Sequence, residues 1–272
     1  MKVPFYDKKL TGSYLKWVSG SSVVVSLVLA FVDFCQKTKF IIGGIYIGAL
    51  VLFFIVLWLI ANRKTKTTLK INNSTVNIFY GDIFSQEGYK VISFNEYFDT
   101  LVDEKIISST SLNGQYVLKI AKNRETLDET IENDDHIAEK VVEVRTERKD
   151  GKIYRYRLGT ICKNGDYFLL ALSHFDEQNR AYLTLQQYTA CLMEMWSEID
   201  VLYGGKTVSI PLLGSGITRF RDCTITDQEL LEIILWTLKI SKVKFTYPST
   251  MNIVLPEGKR DKLNLYILKE KK

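Results

Sequence analysis

The pattern of apolar and polar positions divides the chain into two parts, and the first part contains two long stretches of low charge. Trp17 to Phe34 is interrupted only by Asp33, and Phe40 to Ala61 has no charged residue. About twenty helical residues span the roughly 30 Å core of a bilayer, so the second stretch is long enough for one crossing. The first stretch is slightly short and is long enough only if its helix begins before Trp17. Cys35 to Lys39 leaves room only for a tight turn, so residues 1–70 are predicted to form an antiparallel transmembrane hairpin.

Beyond residue 70, strand-like and helix-like patterns alternate, which predicts that residues 71–272 form a domain of the α/β class. Continuous apolar runs are typical of strands buried on both faces, whereas strictly alternating runs are typical of edge strands. The predicted strands are Thr75–Tyr80, Lys90–Phe94, Lys152–Leu158, Asp166–Leu172, Thr207–Ile210, Met251–Leu255 and Asn264–Leu268.

Two helices of this domain are predicted from apolar side chains that recur at three- and four-residue steps. The first covers Tyr182–Tyr203 and ends at Gly204-Gly205, because glycine readily adopts the left-handed conformation that follows a helix. The second covers Leu230–Ile240, after a capping box at Thr226-Asp-Gln-Glu229. The highly charged stretch Ala121–Asp150 is interpreted as an insertion, or as a surface helix with a hairpin.

Charge is distributed unevenly between the two parts. Residues 1–70 hold ten Lys or Arg and two Asp, whereas the remaining residues hold 26 basic and 29 acidic side chains. The basic character of the chain therefore belongs to its first quarter, which argues against a nucleic-acid-binding protein. At 272 residues and 46% hydrophobic composition, the chain is long and apolar enough for a folded domain beside the hairpin.

The basic residues that flank the hairpin predict its orientation. Four Lys precede the first apolar stretch, four basic residues lie within Arg63–Lys70, and only two lie in the turn. By the positive-inside rule, both termini and the α/β domain are expected on the cytoplasmic side of the plasma (inner) membrane. A buried helix pair in a soluble protein is the alternative to this multi-pass arrangement in the lipid bilayer.

Small residues in the second apolar stretch permit close helix packing. Gly44 and Gly48 have the G-x-x-x-G spacing that lets two helix backbones approach each other. Packing inside one hairpin and self-association between copies both satisfy this spacing, so a homo-oligomer is an open alternative.

The residues that most often hold metals or form disulfides are scattered along the domain. Cys162, Cys191 and Cys223 are far apart, and neither His136 nor His174 lies at ligand spacing from another candidate. The sequence therefore predicts idle thiols and no metal or cofactor, as expected for a cytosolic domain.

Two short loops carry the candidate chemistry. Gly81-Asp82-Ile83 directly follows a predicted strand, where a carboxylate can accept a hydrogen bond from an exocyclic amine or a ribose hydroxyl. A plain N-capping aspartate is the alternative. Gly214-Ser215-Gly216-Ile217 follows a later strand, and its backbone N–H groups can converge on an anion, with Arg219 adding positive charge. A tight turn without a ligand is the alternative for this second loop.

Three segments resemble, in this order, the signature segments of macro domains, which are three-layer α/β/α sandwiches that bind ADP-ribose. They are Val76-Asn-Ile-Phe-Tyr-Gly-Asp-Ile83, Lys90-Val-Ile-Ser-Phe-Asn95 and Val208-Ser-Ile-Pro-Leu-Leu-Gly-Ser-Gly-Ile217. The resemblance implies that Asp82 holds the adenine amine and that Ile83 lines the adenine site. It also implies that Asn95 lies near the distal ribose and that Gly214 to Ile217 wrap the diphosphate.

With its predicted hairpin, the chain more narrowly resembles the membrane-anchored macro-domain effectors of Thoeris-type bacterial antiphage defence. That resemblance implies a functional partner with a TIR domain, which makes an ADP-ribose conjugate from NAD. The effector is then expected to bind this small molecule without turnover and to disrupt the membrane.

The sequence departs from the macro pattern after the second segment. Macro domains usually have Asn-Ala-Ala-Asn and a glycine-rich loop, where this chain has Asn95-Glu-Tyr-Phe-Asp99 and then Ser108-Ser-Thr-Ser-Leu-Asn-Gly-Gln115. Glu96 and Asp99 are expected either to contact a substituent on the distal ribose or to be a solvated or helix-capping pair. A membrane-tethered ADP-ribosyl hydrolase, with Asp99 and Ser109 or Asn113, and a scaffold with a vestigial pocket are the alternatives to a sensor.

Overall fold

The computed structural model describes residues 3–32 and 34–268, and these form two compact units. The first unit comprises residues 3–67 and 261–268, and the second comprises residues 68–260. Asp33, which interrupts the first apolar stretch, lies outside the described residues.

The first unit contains two long apolar helices, α1 (Lys8–Phe31) and α2 (Gln36–Asn62). Both are long and apolar enough to cross a membrane, and neither buries any of its most apolar 18-residue stretch within the protein. The hydroxyl oxygens of Ser21 and Tyr46 lie 2.9 Å apart, and the rings of Tyr14 and Phe54 lie 5.0 Å apart. These pairings make the two helices antiparallel, as predicted.

The ends of the two helices differ from the sequence prediction. Asp7 caps α1, and its carboxylate accepts the N–H groups of Lys9 and Leu10 at 2.9 Å, so the helix begins well before Trp17. The predicted turn at Cys35 to Lys39 is wrong, because Gln36 to Lys39 already form the first turn of α2.

Both ends of the chain contribute to a small apolar cluster in the first unit, formed by Val3, Leu10, Trp58 and Ala61 with Tyr266 packed against them. The indole N–H of Trp58 donates to the carbonyl oxygen of Val3 at 2.8 Å. The predicted strand Asn264–Leu268 does not form. Instead the N–H of Tyr266 donates to the side-chain oxygen of Asn264 at 3.0 Å, a local bond that competes with strand pairing.

The second unit is built on a nine-stranded mixed sheet. The strands are β1 (Lys66–Ile71), β2 (Ser74–Tyr80), β3 (Tyr89–Asn95), β6 (Ile161–Asn164), β7 (Tyr167–Phe175), β8 (Ala181–Leu183), β9 (Val208–Pro211), β10 (Arg219–Phe220) and β11 (Met251–Leu255). Their spatial order is β1-β2-β11-β9-β3-β7-β8-β10, with β6 paired antiparallel to β7. The five central strands, β2 to β7 in this order, are parallel, so their carboxyl ends meet at one edge.

The helices of this unit complete a three-layer α/β/α arrangement. They are α3 (Leu112–Gln115), α4 (Arg124–Glu132), α5 (Asp135–Ala138), α6 (Leu185–Leu202) and α7 (Asp227–Ile240). A buried cluster joins Leu127, Ile131 and Ile137 of α4 and α5 to Ile92 and Leu169 of the sheet. The Trp196 indole N–H donates to the Thr237 hydroxyl at 3.0 Å, which ties α6 to α7.

The helix boundaries follow the capping residues. The capping box at Thr226 and Glu229 is confirmed at the start of α7. The predicted start of α6 at Tyr182 is wrong, because residues 181–183 form β8 and Thr184, with Gln187, provides a second capping box. Gly204 and Gly205 have φ values of +52° and +73°, as predicted for the end of that helix.

The charged stretch 121–150 forms helices followed by one strand of a hairpin. After α4 and α5, β4 (Val141–Val144) pairs antiparallel with β5 (Tyr154–Tyr156). The interpretation as a surface helix with a hairpin is confirmed. Only three residues of the predicted strand Lys152–Leu158 pair, because β4 is short and its register shifts between Val141 and Glu143.

Candidate ligand-binding site

A cavity of about 460 Å³ opens at the carboxyl edge of the parallel strands, a size typical of sites for small molecules. Five chain segments supply most of its wall. They are residues 81–84 after β2, residues 93–95 at the end of β3, residues 106–108, 110–113 and 115 around α3, residues 172, 173 and 175 at the end of β7, and residues 211–218 after β9. The two loops singled out in the sequence therefore meet at one cavity.

Asp82 both caps a short helix and lines this cavity. One carboxylate oxygen, Oδ1, accepts the N–H of Phe84 at 2.9 Å and so caps a 3₁₀ turn at Ile83–Ser85. The adjacent Gly81 and the mostly buried Ile83 also lie on the cavity wall. The capping role and a ligand-binding role are compatible, because the cap engages one of two carboxylate oxygens.

The loop after β9 presents backbone N–H groups beside the cavity. Gly214 has φ = +80°, and a Cβ there would lie 3.3 Å from the Tyr188 ring, so glycine is required. The N–H of Ser215 donates to the Leu212 carbonyl oxygen at 3.2 Å, which closes a turn. Within residues 3–32 and 34–268, no acceptor pairs with the N–H groups of Gly214, Gly216 or Ile217.

A lysine from a distant part of the chain supports this loop. The ammonium of Lys259 lies 2.5 Å from the Ser215 carbonyl oxygen and 2.7 Å from a carboxylate oxygen of Asp227, and it lines the cavity. No spacing in the sequence indicates that Lys259 contacts this loop, so its position was not predictable from the sequence. Arg219, which was predicted to add charge, does not line the cavity, because it lies in β10 and pairs with Tyr182 of β8.

Asn95 lies on the cavity wall, and its amide is engaged by the protein. Its Oδ1 accepts the N–H groups of Tyr97 at 3.0 Å and Asp99 at 3.2 Å, and its Nδ2 donates to Asp99 Oδ2 at 2.8 Å. Asn95 therefore fixes the turn that follows β3, at the point where that turn meets the cavity.

The expectation for Glu96 and Asp99 is wrong, because both carboxylates are buried outside the cavity wall. Asp99 is 0% exposed and accepts Arg148 Nη1 at 2.9 Å, Arg148 Nη2 at 2.7 Å and the Lys152 N–H at 2.7 Å. Glu96 lies 2.6 Å from His174 Nδ1 and 3.4 Å from Arg155. Neither carboxylate is solvated, and neither caps a helix.

The polar loop that replaces a glycine-rich loop supplies one side of the cavity. Its lining residues are Ser108, Thr110, Ser111, Leu112, Asn113 and Gln115. Ser111 caps α3 by accepting the N–H of Gly114 at 3.0 Å. The serine and threonine run was visible in the sequence, but its position beside the cavity depends on the packing of α3. Asn113 lines the cavity, but Asp99 and Ser109 do not, so neither pair considered for hydrolysis, Asp99 with Ser109 or with Asn113, is assembled there.

Comparison with known proteins relates the chain to one family. Residues 76–256 match the family described as Thoeris protein ThsA, Macro domain. The Thoeris protein ThsA of Bacillus amyloliquefaciens (strain Y2) is 43% identical over 251 residues, which cover 90% of this chain and 84% of that protein.

Two solved structures of Oceanobacillus iheyensis macrodomain mutants are similar at lower identity. The first has a TM-score of 0.42 at 15% identity and covers 72% of this chain and 92% of its own. The second, solved with ADPR, has a TM-score of 0.41 at 16% identity and covers 72% of this chain and 93% of its own.

Proposed function

Because the chain belongs to the Thoeris ThsA macro domain family, we propose that it is a membrane-anchored sensor of an ADP-ribose-derived nucleotide in antiphage defence. The nucleotide binds in the cavity at the carboxyl edge of the sheet, and the apolar helix pair produces the response in the membrane. The observation that carries this proposal is the loop at Gly214 to Ile217, where three residues whose N–H groups have no acceptor in the described part of the chain line a cavity of ligand size.

The diphosphate of the nucleotide binds at this loop. Successive backbone N–H groups form a concave site for an anion, and glycine removes side chains that would collide with it. A Cβ at Gly216 would have no neighbour within 4 Å, so this side of the loop is open. Lys259 holds this loop in place, because its ammonium donates to the Ser215 carbonyl oxygen and pairs with the Asp227 carboxylate.

The adenosine end binds at Asp82 and Ile83. The second carboxylate oxygen of Asp82 accepts a hydrogen bond from the adenine amine, and Ile83 provides apolar contact for the ring. The remaining wall, with Ser108, Ser111 and Asn113, holds the distal ribose or a conjugated group such as an amino acid. In this proposal a TIR-domain partner supplies the nucleotide.

The domain binds this nucleotide without converting it. Hydrolysis needs a base or nucleophile at the ligand, and the carboxylate proposed for that role, Asp99, is saturated by Arg148 and the Lys152 N–H. The binding energy is therefore available to change the state of the protein. Both termini and the second unit lie on the cytoplasmic side, where the signal is made.

The test uses the full chain in dye-loaded vesicles. We expect ADP-ribose to release the dye and to be recovered intact by chromatography, with protein-free vesicles as the control. Recovery of a cleaved product would favour the hydrolase, and absence of binding in a parallel thermal-shift assay would favour a scaffold. Either result would contradict the sensor proposal.

A further inference from the structure

Asn113 is a buried amide whose oxygen has no hydrogen-bond partner in the described part of the chain. Its side chain is 9% exposed and lines the cavity, and its Oδ1 is buried without a donor. A buried acceptor without a partner costs free energy, and buried polar groups are rarely left unpaired in folded proteins. The position therefore needs an explanation beyond packing.

The hydrogen bonds that the structure shows for the polar side chains of the surrounding loop go to groups other than Asn113. The Ser111 hydroxyl donates to the Ser108 carbonyl oxygen at 2.7 Å. The Gln115 amide donates to the Thr110 carbonyl oxygen at 3.0 Å, and the Ser108 and Thr110 hydroxyls pair with each other at 3.0 Å. None of these bonds reaches the Asn113 oxygen, which leaves a molecule in the cavity to supply its donor.

Packing fixes the backbone that carries this amide. A Cβ at Gly114 would lie within van der Waals overlap of the Ser108 carbonyl, so the loop is closely packed against the start of α3. The Ser111 cap closes the same turn. A group held in this way is preorganised, because binding does not have to order it.

We infer that Asn113 is a specificity-determining residue that accepts a hydrogen bond from an N–H or O–H group of the ligand. This inference rests on the proposed function and narrows the ligand class. The part of the nucleotide that reaches α3 carries a donor, such as a sugar hydroxyl or an amine joined to it. A nucleotide that ends at its phosphates leaves the Asn113 oxygen unpaired, and the site discriminates against it.

The test compares ADP-ribose with ADP, which shares the adenosine and the diphosphate but ends at the phosphate. Both are titrated calorimetrically into the full chain in detergent, for wild type and Asn113→Leu. Leucine has a similar size and no acceptor. We expect the affinity for ADP-ribose to fall by about tenfold or more and the affinity for ADP to stay unchanged.

A second measurement separates recognition from a structural role. The Tm of ligand-free Asn113→Leu is expected to equal or exceed that of wild type, because the substitution removes an unpaired buried oxygen. Ser109→Ala is the matched control, since Ser109 lies in the same loop and does not line the cavity. It should change neither affinity.

Three results would overturn the inference while leaving the proposed function intact. They are equal losses for ADP-ribose and ADP, unchanged affinity for both, and a Tm lowered by several degrees. Failure of the proposed function looks different, since wild-type protein would then bind neither nucleotide, and the inference would fail with it.

Discussion

At the scale of single residues, Asp82 performs two tasks with one carboxylate. Its Oδ1 caps the 3₁₀ turn, and the side chain stays on the cavity wall. In the sequence these were competing interpretations of one aspartate after a strand. The geometry makes them compatible, because an N-cap engages only one oxygen.

Replacement of Asp82 tests its role in binding. Asp82→Ala should weaken ADP-ribose binding by about 1.5–3 kcal/mol, roughly ten- to a hundredfold, because a charged acceptor is lost. Calorimetry on the full chain measures the effect. Asp166→Ala is the matched control, since Asp166 is exposed at the amino end of β7 and does not line the cavity. Equal affinities in the two folded variants would place the adenine site elsewhere.

Arg148 and Asp99 form a buried ion pair whose loss should affect stability. Arg148→Ala leaves the fully buried Asp99 carboxylate without its charged partner, which should cost about 3–5 kcal/mol of unfolding free energy. Arg157→Ala removes an exposed arginine 3.8 Å from Glu194 and should cost less than about 1 kcal/mol. Urea unfolding monitored by tryptophan fluorescence compares the two variants. Similar small losses would show that the buried pair contributes little.

At the scale of elements, the sequence predicted those helices and strands that are determined by the types of neighbouring residues. The capping box at Thr226 and the buried strand β7 follow directly from neighbouring residue types. The start of α6 was missed because Tyr182 fits the helical spacing, while pairing with β10 and β7 places it in β8.

The site was predictable only where it lies next to a strand. Asp82 and Gly214 follow β2 and β9 directly, so parallel-sheet topology brings them to one edge. The burial of Glu96 and Asp99 depends on Arg148 and Arg155 from the β4–β5 hairpin, a contact across about fifty residues that no spacing reveals. Lys259 and Asn113 reach the cavity through tertiary packing in the same way.

The hairpin prediction can be tested with a native cysteine. Cys35 is exposed in the link between α1 and α2, whereas Cys162 and Cys191 are buried. Cys223 is half-buried in the second unit, so the experiment uses a Cys223→Ser background. The positive-inside rule predicts that the link lies on the outer face, so an impermeant maleimide should label right-side-out vesicles and not inside-out ones. Cys35→Ser should abolish the labelling. Labelling of inside-out vesicles alone would reverse the topology.

At the scale of the whole molecule, the first and the last of the described residues belong to the same compact unit. Residues 261–268 follow the second unit in sequence and belong to the first unit, with the helix pair. The Lys9 ammonium donates to the Tyr266 carbonyl oxygen at 2.8 Å and lies 5.0 Å from the centre of the Tyr266 ring. The segment that follows the second unit in sequence is therefore attached beside α1.

Loss of Lys9 should release this segment. Lys9→Ala removes the hydrogen bonds to the Tyr266 and Leu268 carbonyl oxygens and the cation–π contact, so amide hydrogens in residues 261–268 should exchange faster in mass-spectrometric measurements. Lys8→Ala removes the same charge from an exposed neighbour and should leave exchange unchanged. Identical exchange in both variants would mean that Lys9 does not hold the segment.

In the proposed function, the cavity at the carboxyl edge binds an ADP-ribose nucleotide through the loop at Gly214 to Ile217. The most direct measurement is calorimetric titration of ADP-ribose into the full chain, comparing wild type, Gly216→Gln and Gly216→Glu. Both substitutions add similar bulk in open space, and glutamate also adds a negative charge beside the diphosphate. We predict saturable binding to wild type, weaker binding to Gly216→Gln and no detectable binding to folded Gly216→Glu. Wild-type affinity in Gly216→Glu would contradict the account.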